Sequence, residues 1–425
     1  MIYALILFAV TYVLMLTFTK YRPYIALGSA VVFIATGMLP FDQIFGAIDW
    51  NVLLMIAGTM GLVQLFIDSR MPARLADMIM LKVPNVQMAA VALALFAGII
   101  SAFVDNVATV LMVAPVALAI CKKLKTNPVP FIIGIAVSSN LQGAATLVGD
   151  TTAIMLGSYA DMSFLDFFWY KGRPGIFFAV ELGAIASALI LAWLFRKEKD
   201  SIEQRGELTP VTDYVPTVLL VGMIALLISA SFIPVKPDIT NGLICVSLFI
   251  IGMVYTFART RSADAFLGPI KSIDFETIGL LFGLFLVIGG ITNMGVVDAA
   301  AGLLARMGGG NVFVIYTVIV WASVLFSAFI DNIPYVATML PVIAGIASGM
   351  GLTAEASMVL YLGLLSGATL GGNLTPIGAS ANITATGILR KEGYEVKTLQ
   401  YMKISVPFTL IAVLVGYGLV WAVYA

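Results

Sequence analysis

The sequence predicts an all-α polytopic membrane protein made of two inverted-topology repeats. Three observations carry that expectation. Of 425 residues, 61% are hydrophobic and 11% charged, with a mean hydropathy of +1.04; long apolar runs without charge read as transmembrane helices. The stretch SAFVDNVATVLMVAPVALAI at Ser101–Ile120 returns 226 residues later, at Ser327–Ile346, as SAFIDNIPYVATMLPVIAGI, with nine of twenty positions identical. The basic residues, finally, segregate to one side of the spans that these runs define.

Apolar runs long enough to cross a bilayer, or nearly so, lie at about 2–18, 24–40, 50–67, 129–160 and 174–195. The second half repeats them at about 215–233, 239–258, 274–292, 355–389 and 404–424. Ile2–Phe18 has no basic flank and no small-residue cleavage site, so it reads as a first span and not a signal peptide. Between the third and fourth run of each half lies the duplicated stretch, about 88–121 and 312–347. Each is short for two crossings and a turn, so a re-entrant hairpin with Asp-Asn near its tip is the preferred reading and two ordinary spans the alternative.

The fourth run of each half is interrupted by small polar residues, Ser138–Thr152 and Gly371–Asn382. Thr146-Leu-Val-Gly149 aligns with Thr375-Pro-Ile-Gly378, and Ile48-Asp-Trp50 with Ile273-Asp-Phe275, at nearly the same spacing as the hairpins. Glycine, proline and polar residues in mid-membrane mean an unwound helix, tolerated only where the backbone faces protein or a water cavity. Pro115, Pro341 and Pro376 read as helix-shape residues.

Five crossings and one hairpin per half give the halves opposite orientation. With both termini outside, 19 of the 23 basic residues fall inside (among them Arg22, Lys125, Lys199 and Arg205). Only Lys171, Arg173, Lys236 and Arg306 fall outside. The organisation is therefore 1–195 (first repeat), a charged inside linker at 196–214, and 215–425 (second repeat). A multi-pass protein of the plasma (bacterial inner) membrane is expected.

Inverted repeats with broken helices are the architecture of secondary transporters, whose ligands bind where the breaks converge. The first half brings Asp105, Asn106, Thr109, Asn140, Gln142, Thr146, Asp150 and Thr151 to that place; the second brings Asp331, Asn332, Asn373, Thr375, Ser380 and Asn382. An intramembrane carboxylate costs a few kcal/mol even on lenient scales and is a functional candidate by default. Asp105-Asn106 and Asp331-Asn332 also suit helix N-caps, which is compatible with ion binding because a cap faces the same cavity. Asp150 has no acidic counterpart, its aligned residue being Ala379. Glu181 is unmatched, lies near Arg173 and stays outside the set.

No Lys or Arg falls in the breaks or hairpin centres. The site therefore suits a cation, a proton or a neutral hydroxylated solute; a dianion would need compensating cations. With no histidine, proton transfer falls to carboxylates. Cys121 and Cys245 lack metal spacing and read as apolar packing. No cofactor or metal centre is expected beyond a coupling ion: a proton, or sodium at Asp105/Asn106 or Asp331/Asn332. Zero net charge and no basic tail argue against nucleic acid. An intramembrane aspartyl protease would need Gly-x-Gly-Asp, but position 147 is Leu147. A passive channel is the remaining rival, and gradient-dependent exchange would exclude it.

At these motifs, DNVATVLMVAP, NLQGAATLVGD, SAFIDNIPYVATMLP and LGGNLTPIGASANI, the chain resembles the ion transporter superfamily from about Ile48 to its end. The branch it is most similar to holds arsenite permeases, the melanosomal P protein, plant silicon efflux carriers and some sodium/proton antiporters. The resemblance implies a homodimer working as an elevator. Scaffold spans at about 1–47 and 215–272 would carry transport parts at about 48–195 and 273–425. It implies proton-coupled efflux of arsenite, antimonite or a similar small oxyacid. The alternative on the same fold is a sodium/proton antiporter or sodium-coupled anion transporter. The partners would be the substrate and the bilayer, with a cytoplasmic ATPase left open. One motif departs: the family's Gly-Asp-Pro-Pro-Asn is here Gly149-Asp-Thr-Thr-Ala153, so symmetric ion sites do not carry over.

Overall fold

The computed structural model describes residues 1–124, 126–197 and 208–425. The middle of the expected linker, and with it Lys125, Lys199 and Arg205 of the charge bias, lies outside the described residues.

Ten helices form the first half: α1 (Ile2–Thr17), α2 (Arg22–Ala35), α3 (Ile44–Ala47), α4 (Trp50–Asp68), α5 (Met71–Met80), α6 (Val86–Ser101), α7 (Asn106–Leu124), α8 (Val129–Gly143), α9 (Thr151–Tyr159) and α10 (Ile176–Leu194). Ten counterparts follow: α11 (Val215–Ser231), α12 (Thr240–Thr260), α13 (Ala263–Lys271), α14 (Phe275–Asn293), α15 (Val296–Met307), α16 (Val312–Ser327), α17 (Asn332–Gly349), α18 (Ala354–Gly371), α19 (Ser380–Lys391) and α20 (Thr398–Tyr424). A two-stranded turn, β1 (Trp169–Tyr170) against β2 (Arg173–Pro174), is the only sheet among the described residues. Eight helices are long and apolar enough to cross a membrane, and up to ten spans result if each sharply bent pair counts as one.

The same capping chemistry starts equivalent helices. Asp49 accepts from Val52 N at 3.0 Å to start α4, and Asp274 from Thr277 N at 3.0 Å to start α14. Asn85 and Asn311 do the same for α6 and α16, at 2.9 Å each. The repeated Ile-Asp-Trp/Phe motif is thus a cap.

Packing repeats in the two halves, one pair exchanged between them and one kept within each. α4 lies on α12, and α14 on α2; α6 lies on α8, and α16 on α18. α10 packs on its own counterpart α20, which puts the pseudo-two-fold axis between them. Glycines allow the closest contacts: a Cβ on Gly58 would come within 2.5 Å of the Cys245 backbone, and one on Gly283 within 2.7 Å of Ala26. Likewise Gly252 meets Leu65 as Gly290 meets Phe33. These contacts set the register of α2 against α12 at 219 residues, Ala26 to Cys245 and Phe33 to Gly252.

Two details depart from the sequence expectation. The run 24–40 is helical only to Ala35, and the chain turns by 117° between α1 and α2. At 14 residues α2 is about 21 Å long, short of the roughly 30 Å apolar core. The amphipathic helices α5, α13 and α15, between the apolar runs, were not anticipated, because a window set to find spans passes over short half-polar segments. The described end of the linker returns to the first half, where Thr209 Oγ1 donates to Asp77 Oδ2 at 2.6 Å and Thr212 N to Ser69 O at 3.0 Å.

Candidate functional site

The hairpins α6–α7 and α16–α17 turn where the long helices are broken, between α8 and α9 and between α18 and α19. Threonines lock each tip to its break. Thr146 Oγ1 donates to Ala102 O at the first tip, and Thr375 Oγ1 to Ala328 O at 2.5 Å at the second. Gly149 and Gly378 permit this contact, since a Cβ there would stand 2.5 Å from Gly143 O and 2.6 Å from Gly372 O respectively, with tip carbonyls within 2.9 Å of both. Both breaks are therefore built by sequence, from the glycine and threonine of the aligned Thr-Leu-Val-Gly and Thr-Pro-Ile-Gly motifs.

Four buried amides join the halves. Asn106 Nδ2 donates to Asn140 Oδ1 at 3.0 Å; Asn140 Nδ2 donates to Asn373 Oδ1 at 2.8 Å and Asn382 Oδ1 at 2.9 Å. Asn382 Nδ2 reaches Gly372 O and Thr375 O at 2.9 and 3.0 Å, and Asn373 Nδ2 reaches Val137 O at 2.9 Å. A buried amide without partners costs about 1–3 kcal/mol, so mutual pairing is what makes this polar centre stable in a membrane.

Beside this network lies a cavity of about 140 Å³. Hairpin and break residues Asp105, Asn106, Asp150, Thr151, Asn332 and Ser380 line one side; Met60 and Gln64 of α4, with Ser272, Asp274 and Thr277 around the start of α14, line the other. Three carboxylates face it, and among the described residues no Lys or Arg does. Asp105 Oδ1 caps α7, accepting from Val107 N at 2.9 Å and Ala108 N at 3.2 Å. Asp150 Oδ2 accepts from Thr152 Oγ1 at 2.8 Å.

Not every expected site residue reaches the cavity. Thr109 is fully buried and bonds back to Val104 O at 3.4 Å; Gln142 packs on Gly98 with its Oε1 unpartnered. Asn140, Asn373, Asn382, Thr146 and Thr375 serve the tips and breaks as described, because each amide or hydroxyl finds a closer partner in protein than in the cavity. Asp331 is placed differently from Asp105. Its Oδ1 caps α17 through Ile333 N at 3.1 Å, as expected, but its Oδ2 pairs with Arg22 Nη1 at 3.2 Å. A cation, expected in an inside loop, therefore stands at a hairpin tip. Arg22 Nε is held by Met15 O at 3.2 Å, and Tyr12 Oη donates to Pro334 O at 2.6 Å and also contacts Thr338 Oγ1. The reading of residues missed Arg22, Asp274 and Gln64. Asp274 was visible as a repeat-aligned acid; Lys20-Tyr-Arg-Pro23 gave no sign beyond a loop. Among the described residues no three His, Cys, Asp or Glu are grouped to hold a metal.

The family profile described as CitMHS, citrate transporter, matches residues 6–363. An uncharacterized transporter of Mycobacterium tuberculosis is 28% identical over all of this chain and 99% of its own length. The P protein of Sus scrofa is 26% identical over 97% of this chain and 58% of its own length. The fold is similar to that of the Alcanivorax borkumensis YdaH transporter, with a TM-score of 0.62 and 14% identity over 96% of this chain and 97% of that one. It is also similar to Neisseria gonorrhoeae MtrF, with a TM-score of 0.51 and 15% identity over 96% of this chain and 83% of that one. The chain belongs to the CitMHS family within the ion transporter superfamily and is a membrane transporter.

Proposed function

We propose that this member of the citrate transporter family is a secondary active transporter whose coupling cation, a proton or sodium, binds at Asp105 and Asp150. The observation that carries the reading is the cavity itself: three carboxylates, no basic liner among the described residues, and walls drawn from both the hairpin group and the α4/α14 group. Such a cavity disfavours a bare anion and favours a cation together with a neutral hydroxylated solute. The proposed solute is a small oxyacid such as arsenite or antimonite, hydrogen-bonded by Thr151, Ser380 and Asn332 and exported in exchange for protons. Cation and solute then share one site, and occupancy by either opposes the other, which is the simplest basis for antiport.

The movement proposed is an elevator, in a homodimer of the inner membrane. The hairpins and broken helices would travel against α2, α4, α12 and α14, whose exchanged pairing supports treating them as one frame. This draws the static part to include α4 and α14.

The family's description favours a second reading, cation-coupled carriage of citrate. A tricarboxylate could enter this cavity only with its charge compensated, so bound cations would be co-substrates and not exchanged ions.

Proteoliposomes under an imposed pH gradient, with and without sodium, decide between these. Arsenite movement that follows the proton gradient and vanishes in Asp105→Asn supports the first reading. Citrate uptake that requires a cation, with no arsenite movement, supports the second. Flux of either solute that ignores Asp105→Asn removes the coupling role from this cavity.

A further inference from the structure

The duplication supplies two hairpin-tip aspartates, but the structure gives them different company. Asp331 Oδ2 is paired with Arg22 at 3.2 Å, both side chains being about five-sixths buried (17% and 14% exposed). Arg22 is not a loose surface arginine. Its Nε is fixed on Met15 O, and the neighbouring Tyr12 holds the first turn of α17. Asp105 has no ion-pair partner among the described residues, and it lines the cavity. The register that sets Ala26 against Cys245 sets Arg22 against Asn241, a buried neutral residue, so repeat symmetry offers Asp105 no equivalent cation. A second asymmetry points the same way. The helix-start position at the first break is Asp150, and at the second it is Ala379. The first tip and break thus carry two acids with no ion-paired cation among the described residues, and the second tip and break one acid already neutralised.

We infer that Arg22 is a built-in counter-ion at the second hairpin tip. Its guanidinium takes at Asp331 the place that a free cation takes at Asp105, so the duplicated fold carries one exchangeable cation site and not two. This rests on the reading of Asp105 as the coupling site. An arginine suits the task because it never deprotonates and its planar fork holds a carboxylate in fixed geometry. A tethered charge also cannot leave with the solute, so it neutralises the tip without entering the transport stoichiometry.

The test uses the purified full-length protein and reads its thermal unfolding midpoint against sodium, with choline as replacement, and separately against pH. Among the described residues, the charged groups facing Asp331 are Arg22 from α2, Asp274 at the start of α14 and Asp150 at the first break. Arg22→Gln exposes Asp331 and is expected to gain a second cation response on top of the wild-type one at Asp105. That gain is a rise of about 1 °C or more per tenfold sodium, or a comparable rise on acidification. Asp331→Asn in the same chain should remove the gained response, and Arg22→Lys should behave as wild type. A uniform loss of stability in Arg22→Gln, with no new dependence on sodium or pH, overturns the inference. So does a gained response that survives Asp331→Asn. If Arg22→Gln does not fold, Asp331→Asn alone decides. A wild-type cation response that persists there supports one site, and its disappearance overturns it. Failure of the coupling reading looks different: Asp105→Asn then leaves the wild-type cation response in place.

Discussion

Asp105 and Asp331 start equivalent helices with the same oxygen, yet their second oxygens meet opposite surroundings. At the first tip the carboxylate borders a cavity it shares with Asp150 and Asp274; at the second it is closed by Arg22. The backbone around them repeats its contacts, from the Thr146 and Thr375 locks to the Gly149 and Gly378 approaches. Duplication has preserved the scaffolding of the tips and let their charges diverge. A transporter can keep a symmetric frame, needed for two equivalent access states, while making its chemistry one-sided.

The largest expected effects come from breaking the tips in parallel. Asp105→Asn keeps a capping side chain and should unfold at the wild-type midpoint, but gradient-driven flux should fall to background. Asp331→Asn should show the reverse emphasis. It leaves Arg22 without its partner, and a mostly buried charge stripped of its partner costs about 3–5 kcal/mol, read as a lower unfolding midpoint. Removing both charges with Arg22→Gln in that background should restore most of the loss. Equal flux defects and equal stability losses in the two single variants would erase the distinction between the tips.

Next in size is the amide network, which belongs to both halves. Asn140→Ala strips Asn106 of an acceptor and Asn373 and Asn382 of a donor, all in a buried setting. A loss of about 3 kcal/mol is expected, since each abandoned group costs about 1–3 kcal/mol and the three are coupled. Chemical unfolding in detergent would measure it. A change below the cost of one hydrogen bond would mean that water replaces the side chain and that the centre is wetter than its burial indicates.

Much of this was legible in the sequence, and the reasons are local. Apolar run length placed the spans, and a repeated Asp-Asn inside a repeated apolar frame placed the tips. Glycine next to threonine or proline placed the breaks. Each of these is a property of a few neighbouring residues. What stayed hidden depends on distance. Arg22 and Asp331 are 309 residues apart, and a charge in Lys20-Tyr-Arg-Pro23 looks like any membrane-surface loop. The amides of Asn140, Asn373 and Asn382 have the right chemistry to bind a ligand, and only coordinates reveal that they bind one another. Asp274 was visible by alignment with Asp49, but its capping role gave no sign that it also faces the cavity.

Gly149→Ala and Gly378→Ala sharpen the comparison from its symmetric side. Each added methyl would meet a carbonyl oxygen at 2.5 or 2.6 Å with backbone, and not a pliable side chain, behind it. Overpacking of this kind costs about 1–3 kcal/mol, and the two variants should lose similar amounts in unfolding experiments. Unequal losses would mean that one break relaxes where the other cannot, and the divergence would then extend from charge to backbone.

The smallest effect is expected at an ion pair found on the first hairpin alone. Lys122 Nζ meets Glu392 at 2.6 Å and ties the end of α7 to the end of α19. The repeat partner of Lys122 is Ser348, so the second hairpin has no such tie. Despite the short distance, Lys122 is 63% exposed, and water and salt screen the attraction. Lys122→Ala should therefore cost no more than about 1 kcal/mol, a difference that shrinks as ionic strength rises. A larger, salt-insensitive loss would show that the first hairpin is anchored at its base as the second is anchored at its tip by Arg22. The two hairpins would then differ in where they are held as well as in the charge they present.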